Sequence, residues 1–408
     1  MSHQRAREAA ETIVKTLRGA GHVAYLAGGC VRDLLLGREP VDYDVVTDAR
    51  PERVSSLFKR TEQVGAKFGV VLVRLRGVQT EVATFRAEGA YSDGRHPDAV
   101  RFGDPVEDAG RRDFTVNGMF YDLVDGTVID HVGGRGDLEA RVIRAIGDPD
   151  RRFTEDHLRM LRAVRFAARL GFTIEPGTFA AIRRQAHRLP IISPERIREE
   201  LRLILCDRSR VAGWEMLVSS GLSEHLIPNV GWSSAERGAV SRRLASLPDE
   251  AGFTTTLAAL LSSRVPGEAE EACRRLRCSN HECHAVGWLL THLPRVRVSE
   301  RLKLADVKLF LADDRFDDLM VLLRADLTAA GEPLTAYEDL ETRRQSIPAD
   351  EVAPPPFVTG DDLLARNVPQ GPAYSRILDA VYRAQLSGEV TTRYEALEMA
   401  AQLIDRNS

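Results

Sequence analysis

Hydrophobic and polar positions follow two different rhythms along the chain. Through residue 140 the apolar residues gather in short β-rich runs, HVAYLAGG, VDYDVVT, VVLVRLRG, TEVATFR and TVIDHV, separated by helical stretches and many glycines. That mixture predicts an α/β or α+β domain. From about residue 150 the strand signals stop and helical periodicity takes over. EDHLRMLRAVRFAARLG, starting at Glu155, predicts a helix closed by Gly171, and SPERIREELRLILC predicts another with Ser193 as N-cap and Pro194 at its first position. Pro354, Pro355 and Pro356 forbid helix and predict an extended connector before a last helical unit. No internal repeat or low-complexity segment interrupts this plan of a mixed head, a long helical body and a small helical tail.

Composition narrows the setting. A chain of 408 residues with 43% hydrophobic side chains can bury more than one core, and at roughly 100 to 200 residues per domain it divides into two to four parts. The net charge of -4 argues against a globally basic nucleic-acid coat, so a polyanionic partner must be met by local clusters of Lys and Arg. The opening stretch MSHQRAREAAETIVKTLRGAG reads as a polar amphipathic helix without the apolar core of a signal peptide, and no run reaches the roughly 18 apolar residues of a membrane span. Five irregularly spaced cysteines make no disulfide framework. A cytoplasmic protein is expected.

Several short motifs carry possible chemistry. LAGGCVRDLLLG runs from an apolar strand through Gly28 and Gly29 into a helix with Arg32 and Asp33, so backbone N–H groups point where an anion could sit; taken alone, a plain tight turn is the commoner explanation of the glycines. In PVDYDVV, Asp42 and Asp44 are two apart, which on a strand places both carboxylates on one face while Val41, Tyr43 and Val45 turn to the core. Two carboxylates this close suit magnesium, which accepts one or two and fills its other positions with water and phosphate oxygens; a solvated edge strand is the alternative. TEVATFR adds Glu81 on another predicted strand, and GRRDFTVNGMFYD crowds Arg111, Arg112, Asp113 and Asn117 together. Beside a metal-bound triphosphate one of these arginines would take a phosphate through a bidentate contact. CRRLRCSNHECH matches no zinc spacing cleanly and reads as helix, turn and helix.

Taken in order, GGCVRD, DYD, RRDFTVN, EDHLRMLRAVRF and SPERIREEL resemble the class II tRNA nucleotidyltransferase and bacterial poly(A) polymerase family, within the polymerase-β-like nucleotidyltransferase superfamily. The likeness is strong over about the first 210 residues. It implies an α+β fold, with a mixed-sheet nucleotidyltransferase head over residues 1–140, then an all-helical neck (141–210), body (211–345) and tail (346–408) that bind tRNA. It further implies template-independent addition of C and A from CTP and ATP, with Mg2+ as cofactor; no protein partner is inferred. Asp42 and Asp44 would be metal ligands, with Glu81 a third acid or base. Gly29, Arg32 and Arg112 would bind triphosphate or ribose.

The resemblance also assigns the arginine ladder. Three-residue steps drift by roughly 60° around a helix, so Asp156, Arg159, Arg162 and Arg165 form a slowly winding strip. A carboxylate accepts from an amino group while a guanidinium donates to ring nitrogen and carbonyl acceptors, so Asp156 and Arg159 can imitate a complementary base edge. By resemblance this pair selects C or A, and Arg162 and Arg165 lie toward the nucleotide's remaining polar groups. Glu155 can fix Arg159 through an i to i+4 ion pair. ATFRAEGAYSDGRHPDAVRFG is similar to the flexible loop of enzymes that add the terminal A. An A-only enzyme, a poly(A) polymerase and an inactive RNA-binding relative remain the alternatives, although a tail without strong basic character disfavours poly(A) addition.

Overall fold

The computed structural model describes residues 3–62, 69–88, 100–366, 368 and 371–405. Their contacts group into two compact units, Met1–Trp232 and Ser233–Ser408. The expected divisions at 140, 210 and 345 are finer than this grouping. The loop expected within ATFRAEGAYSDGRHPDAVRFG is described only at its flanks, and its residues 89–99 lie outside the described residues.

The strands of the first unit are β1 (Ala24–Ala27), β2 (Asp44–Thr47), β3 (Thr61–Glu62), β4 (Val70–Leu75), β5 (Val78–Thr84), β6 (Arg86–Glu88), β7 (Val100–Phe102), β8 (Phe120–Asp122), β9 (Thr127–Ile129), β10 (Val142–Ile143) and β11 (Thr173–Ile174). Seven form one sheet in the order β3-β4-β5-β2-β1-β8-β9. It is mixed, as expected: β2 and β5 run parallel, and their neighbours pair antiparallel. The β4–β5 hairpin turns through Arg76 and Gly77 with φ of 53° and 79°, the doubly left-handed backbone whose twist suits a two-residue connection. Helix His3–Gly19 buries Ala9, Ile13, Val14 and Leu17, a stripe at helical spacing. Tyr25, Phe85 and Phe120 pack within 6.0–6.3 Å of one another and form an aromatic floor.

Beyond the sheet the first unit is mostly helical, with one departure from the all-helical expectation. Thr173–Ile174 pairs in parallel with Val142–Ile143. Two residues are too few to leave a period-2 signal. Gly171 closes helix Leu158–Leu170 in the left-handed region at φ 71°, and Ser193 and Pro194 open helix Pro194–Leu205 as predicted.

In the second unit, helices Pro266–Arg275 and Asn280–Val296 are joined by the predicted turn. The Cys278 N–H donates to the Cys273 carbonyl at 3.0 Å and Arg277 N–H to Arg274 at 2.9 Å, a Schellman closure, and Ser279 with Glu282 forms a capping box. After the extended stretch at Pro354–Pro356, helices Gly360–Leu364, Pro372–Leu386 and Arg393–Asp405 close over Val358, Leu363, Ile377, Val381 and Ala396. No described helix is long and apolar enough to cross a membrane.

Candidate active site

Parallel pairing brings two acids together. Val45 lies opposite Val82 in the β2–β5 register, so one step back Asp44 faces Glu81 with both side chains on the same side of the sheet. Asp42 differs from the expectation: β2 begins only at Asp44, Asp42 precedes it, and Val41 is 62% exposed instead of entering the core. Tyr43 and Val45 are buried as predicted. Pro40 removes a backbone donor just ahead of this stretch, which discourages earlier strand pairing. Asp44 is exposed to solvent as a residue, yet surrounding protein desolvates its carboxylate and raises its pKa to about 6. Glu81 and Asp42 push in the same direction and Arg112 opposes them. Among the described residues no group of three or more His, Cys, Asp or Glu has metal-binding geometry.

Gly28 makes the next contact possible. Ala27 pairs with Asp44 across β1 and β2, and Gly28 then turns at φ 76°, a conformation that glycine adopts without a Cβ penalty. A Cβ there would lie 3.0 Å from Arg112 Nη1 and 3.9 Å from Asp44 Oδ2. The missing side chain therefore leaves room for guanidinium and carboxylate to approach the same turn. Gly29 starts helix Gly29–Leu35, and its added Cβ would sit 3.5 Å from Arg32 Nη2.

Arg112 is held from behind. Its Nε and Nη2 donate to Asp108 Oδ2 at 3.2 and 3.1 Å, and Arg111 Nε donates to Asp108 Oδ1 at 2.8 Å. Asp108 is fully buried. Burial opposes its ionisation, but the Arg112 and Arg111 charges outweigh that and hold its carboxyl below the usual range. Arg112 also lies over the Phe120 ring at 5.3 Å.

The expected single helix across the arginine ladder is two helices. Pro149–Glu155 ends at Asp156, whose backbone is extended at φ -149° and ψ 105°, and the next helix begins at Leu158. Asp156 Oδ1 accepts from the Leu158 N–H at 3.1 Å, the local bond by which Asp competes with helix continuation. Asp156 Oδ2 accepts from Arg196 at 2.8 Å. Arg159 Nη1 donates to Glu155 at 2.9 Å and to the Arg152 carbonyl at 3.1 Å, while Nη2 reaches the Arg111 carbonyl at 3.3 Å. The i to i+4 pair thus forms across the break. Each Asp156 oxygen keeps a second lone pair, and Arg159 keeps Nε–H and one Nη2–H, the donor and acceptor set that a base edge requires.

Arg162 and Arg165 turn to buried acids. Arg162 Nε and Nη2 donate to Asp113 Oδ2 at 2.9 and 2.6 Å, and Arg165 Nε is 3.1 Å from Glu200 Oε2. Burial disfavours charge on Asp113, but Arg162 and hydrogen bonds from Asn117 and the Phe114 N–H hold its pKa down. At Glu200 burial prevails over Arg165 and Arg162 and raises the pKa. Arg32, Arg162 and Arg165 all lie over the Phe166 ring, at 5.3, 5.2 and 4.6 Å. Asp108, Phe166, Arg196 and Glu200 were not legible as site neighbours: Glu200 sits in the charged stretch ERIREEL, which looks solvated until the helix is packed.

A mixed sheet whose central strands β2 and β5 bring two acids face to face, backed by clamped arginines and adjoined by helices with base-edge donors and acceptors, defines a nucleotidyltransferase head with an RNA-binding extension. Accordingly, residues 24–144 match the Poly A polymerase head domain, and residues 171–232 match the probable RNA and SrmB-binding site of polymerase A. Over 405 residues the chain is 36% identical to the CCA-adding enzyme of Geobacillus stearothermophilus, covering 97% of this chain and 96% of that one. It is 46% identical over 220 residues to the CCA-adding enzyme of Lactobacillus johnsonii, across 53% of this chain and 55% of that one. The crystal structure of the Bacillus stearothermophilus CCA-adding enzyme in complex with CTP superimposes with a TM-score of 0.79 at 32% identity, covering 98% and 97% of the two chains. This chain belongs to the CCA-adding enzyme family.

Proposed function

We propose that this chain acts in the cytoplasm and adds C and A nucleotides to the 3′ end of tRNA without a nucleic-acid template, using CTP and ATP and releasing pyrophosphate. The observation that carries the reading is the pairing of Asp44 with Glu81 across β2 and β5, with Arg112 near Asp44 at the Gly28 turn and Asp42 two residues ahead. Like charges crowd Asp44, and a divalent cation would relieve that crowding, so the donor set fits magnesium. Asp42 and Asp44 would hold two Mg2+ ions, which when bound lower the pKa of the attacking 3′-hydroxyl and stabilise charge on the leaving phosphates. Glu81 stands beside them as the third acid.

The chain's own groups supply orientation. Arg112, locked to Asp108, and Arg32 at the Gly29 turn present guanidinium groups to the triphosphate or ribose. Asp156 and Arg159 offer the donors and acceptors of a base edge, and Arg162 and Arg165 complete the polar wall of the nucleotide site. The RNA hydroxyl then attacks the α-phosphate, and the bond to pyrophosphate breaks.

Purified protein is to be incubated with Mg2+ and tRNAs ending before CCA, after C and after CC, with CTP and ATP supplied separately and together. The expected product is two C residues with CTP, then A with ATP. Failure to add C to the shortest tRNA, with A added to the one ending in CC, would identify an A-only enzyme; long A tracts would identify a poly(A) polymerase. RNA binding without incorporation would identify an inactive relative.

A further inference from the structure

We propose that Asn117 is a positioning residue that ties three nucleotide-site arginines into one frame; the inference rests on the nucleotidyl-transfer reading above. Asn117 ends the short helical turn Thr115–Asn117 and is 7% exposed. Its Oδ1 accepts from Arg32 Nη1 at 2.7 Å, its Nδ2 donates to Asp113 Oδ1 at 3.2 Å, and its main-chain oxygen accepts from Arg112 Nη1 at 3.4 Å. Asp113 passes the link on by binding Arg162 through its other oxygen. One residue therefore joins a guanidinium from helix Gly29–Leu35, one from the turn after helix Pro105–Gly110 and, through Asp113, one from helix Leu158–Leu170.

The amide suits this junction for a chemical reason. It faces a cationic donor on one side and an anionic acceptor on the other, and a primary amide carries both an acceptor oxygen and donor hydrogens. A carboxylate would satisfy Arg32 and repel Asp113; an aliphatic side chain would satisfy neither. The turn itself is fixed in place: Asn117 N–H donates to the Phe114 carbonyl at 2.9 Å, and a Cβ on Gly134 would lie 2.1 Å from the Thr115 carbonyl oxygen. Arg32 also has Asp33 at 2.9 Å, so removal of Asn117 would leave Arg32 free to follow Asp33 while Arg162 stays on Asp113. Arg32 and Arg162, two of the three guanidinium groups over the Phe166 ring, would lose their common reference.

The test compares Asn117→Ala and Asn117→Asp with the wild-type protein in steady-state addition to tRNA. Asn117→Ala is expected to raise KM for CTP and ATP by the same factor, about tenfold, the scale of one hydrogen bond to a charged group. The preference for CTP and ATP over UTP and GTP should be unchanged, because Asp156 and Arg159 keep their own partners. Asn117→Asp adds a readout that loss of packing would not move. The groups facing that position are Arg32 and Asp33 from one helix, Arg112 and Asp113 from the turn, and Arg162 from the other helix. Protonated, the new carboxyl can accept from Arg32 and donate to Asp113; ionised, it opposes Asp113. The ratio of variant to wild-type turnover should therefore fall as pH rises.

Unchanged KM values in Asn117→Ala, or a rise for one nucleotide alone, beside an active wild type would overturn the assignment of Asn117. Should the alanine variant fail to fold, the pH ratio of Asn117→Asp decides, and a flat ratio overturns it. Wild-type protein that extends no tRNA would count against the functional reading instead.

Discussion

Replacing Asp108 by Asn tests whether the arginine clamp is an energetic element of the head. The carboxylate is fully buried and receives hydrogen bonds from both Arg111 and Arg112 at 2.8–3.2 Å. Asn is nearly isosteric but loses the charge, and one face of its amide presents donors to guanidinium donors. Removing one partner of a buried pair costs about 3–5 kcal/mol when the surviving charge is stranded. Here the survivors keep 16% and 17% of their side-chain surface exposed and can partly hydrate, which places the expected loss near the low end, about 3 kcal/mol. The pH dependence has a definite sign. Asp108 has a folded-state pKa below its ordinary value of 3.8, so its contribution is fully present above that value and disappears as pH falls through the lower folded pKa. The gap between wild type and variant should be flat through neutral pH and close only in strong acid. Urea unfolding followed by amide exchange in residues of the first unit measures it, since a whole-chain transition would mix two units. A loss under about 1 kcal/mol, the range of an exposed ion pair, would refute the reasoning.

Two further outcomes are expected. Asp156→Ala should relax discrimination against UTP or GTP by about 1–3 kcal/mol, the scale of a lost base-edge contact, while Arg112→Ala should weaken all nucleotides alike; parallel kcat/KM measurements with all four triphosphates decide this, and equal losses in both variants would remove Asp156 from base selection. Arg141 is exposed and follows helix Gly134–Glu139 in the left-handed region at φ 57°. Arg141→Gly should stabilise the first unit by roughly 0.5–1 kcal/mol in urea unfolding, the relief of left-handed strain less the added chain entropy of glycine; a destabilised variant would show that the strain is absent.

What the sequence determined by itself was local. Gly171 ends a helix because a left-handed closing residue is written into one position, Ser193 and Pro194 start one because caps act within a turn, and the three prolines near 355 exclude helix from their own backbone. The order of short motifs also named the candidate acids and arginines. Placement required tertiary structure. Asp44 stands beside Glu81 only because β2 and β5 pair in parallel across intervening strands, and no local period records that pairing. Asp42 falls outside the strand, behind Pro40 with its missing backbone donor, and the ladder helix breaks at Asp156, where a local bond competes with helix continuation. Charged residues show the same division most plainly. Asp108, Asp113 and Glu200 look like solvated carboxylates in sequence, but each is buried against arginines that lie on the same or on distant segments. Burial and partner choice belong to the packed fold, since the cost of removing a charge from water and the ion pair that offsets it exist only once separate elements have come together.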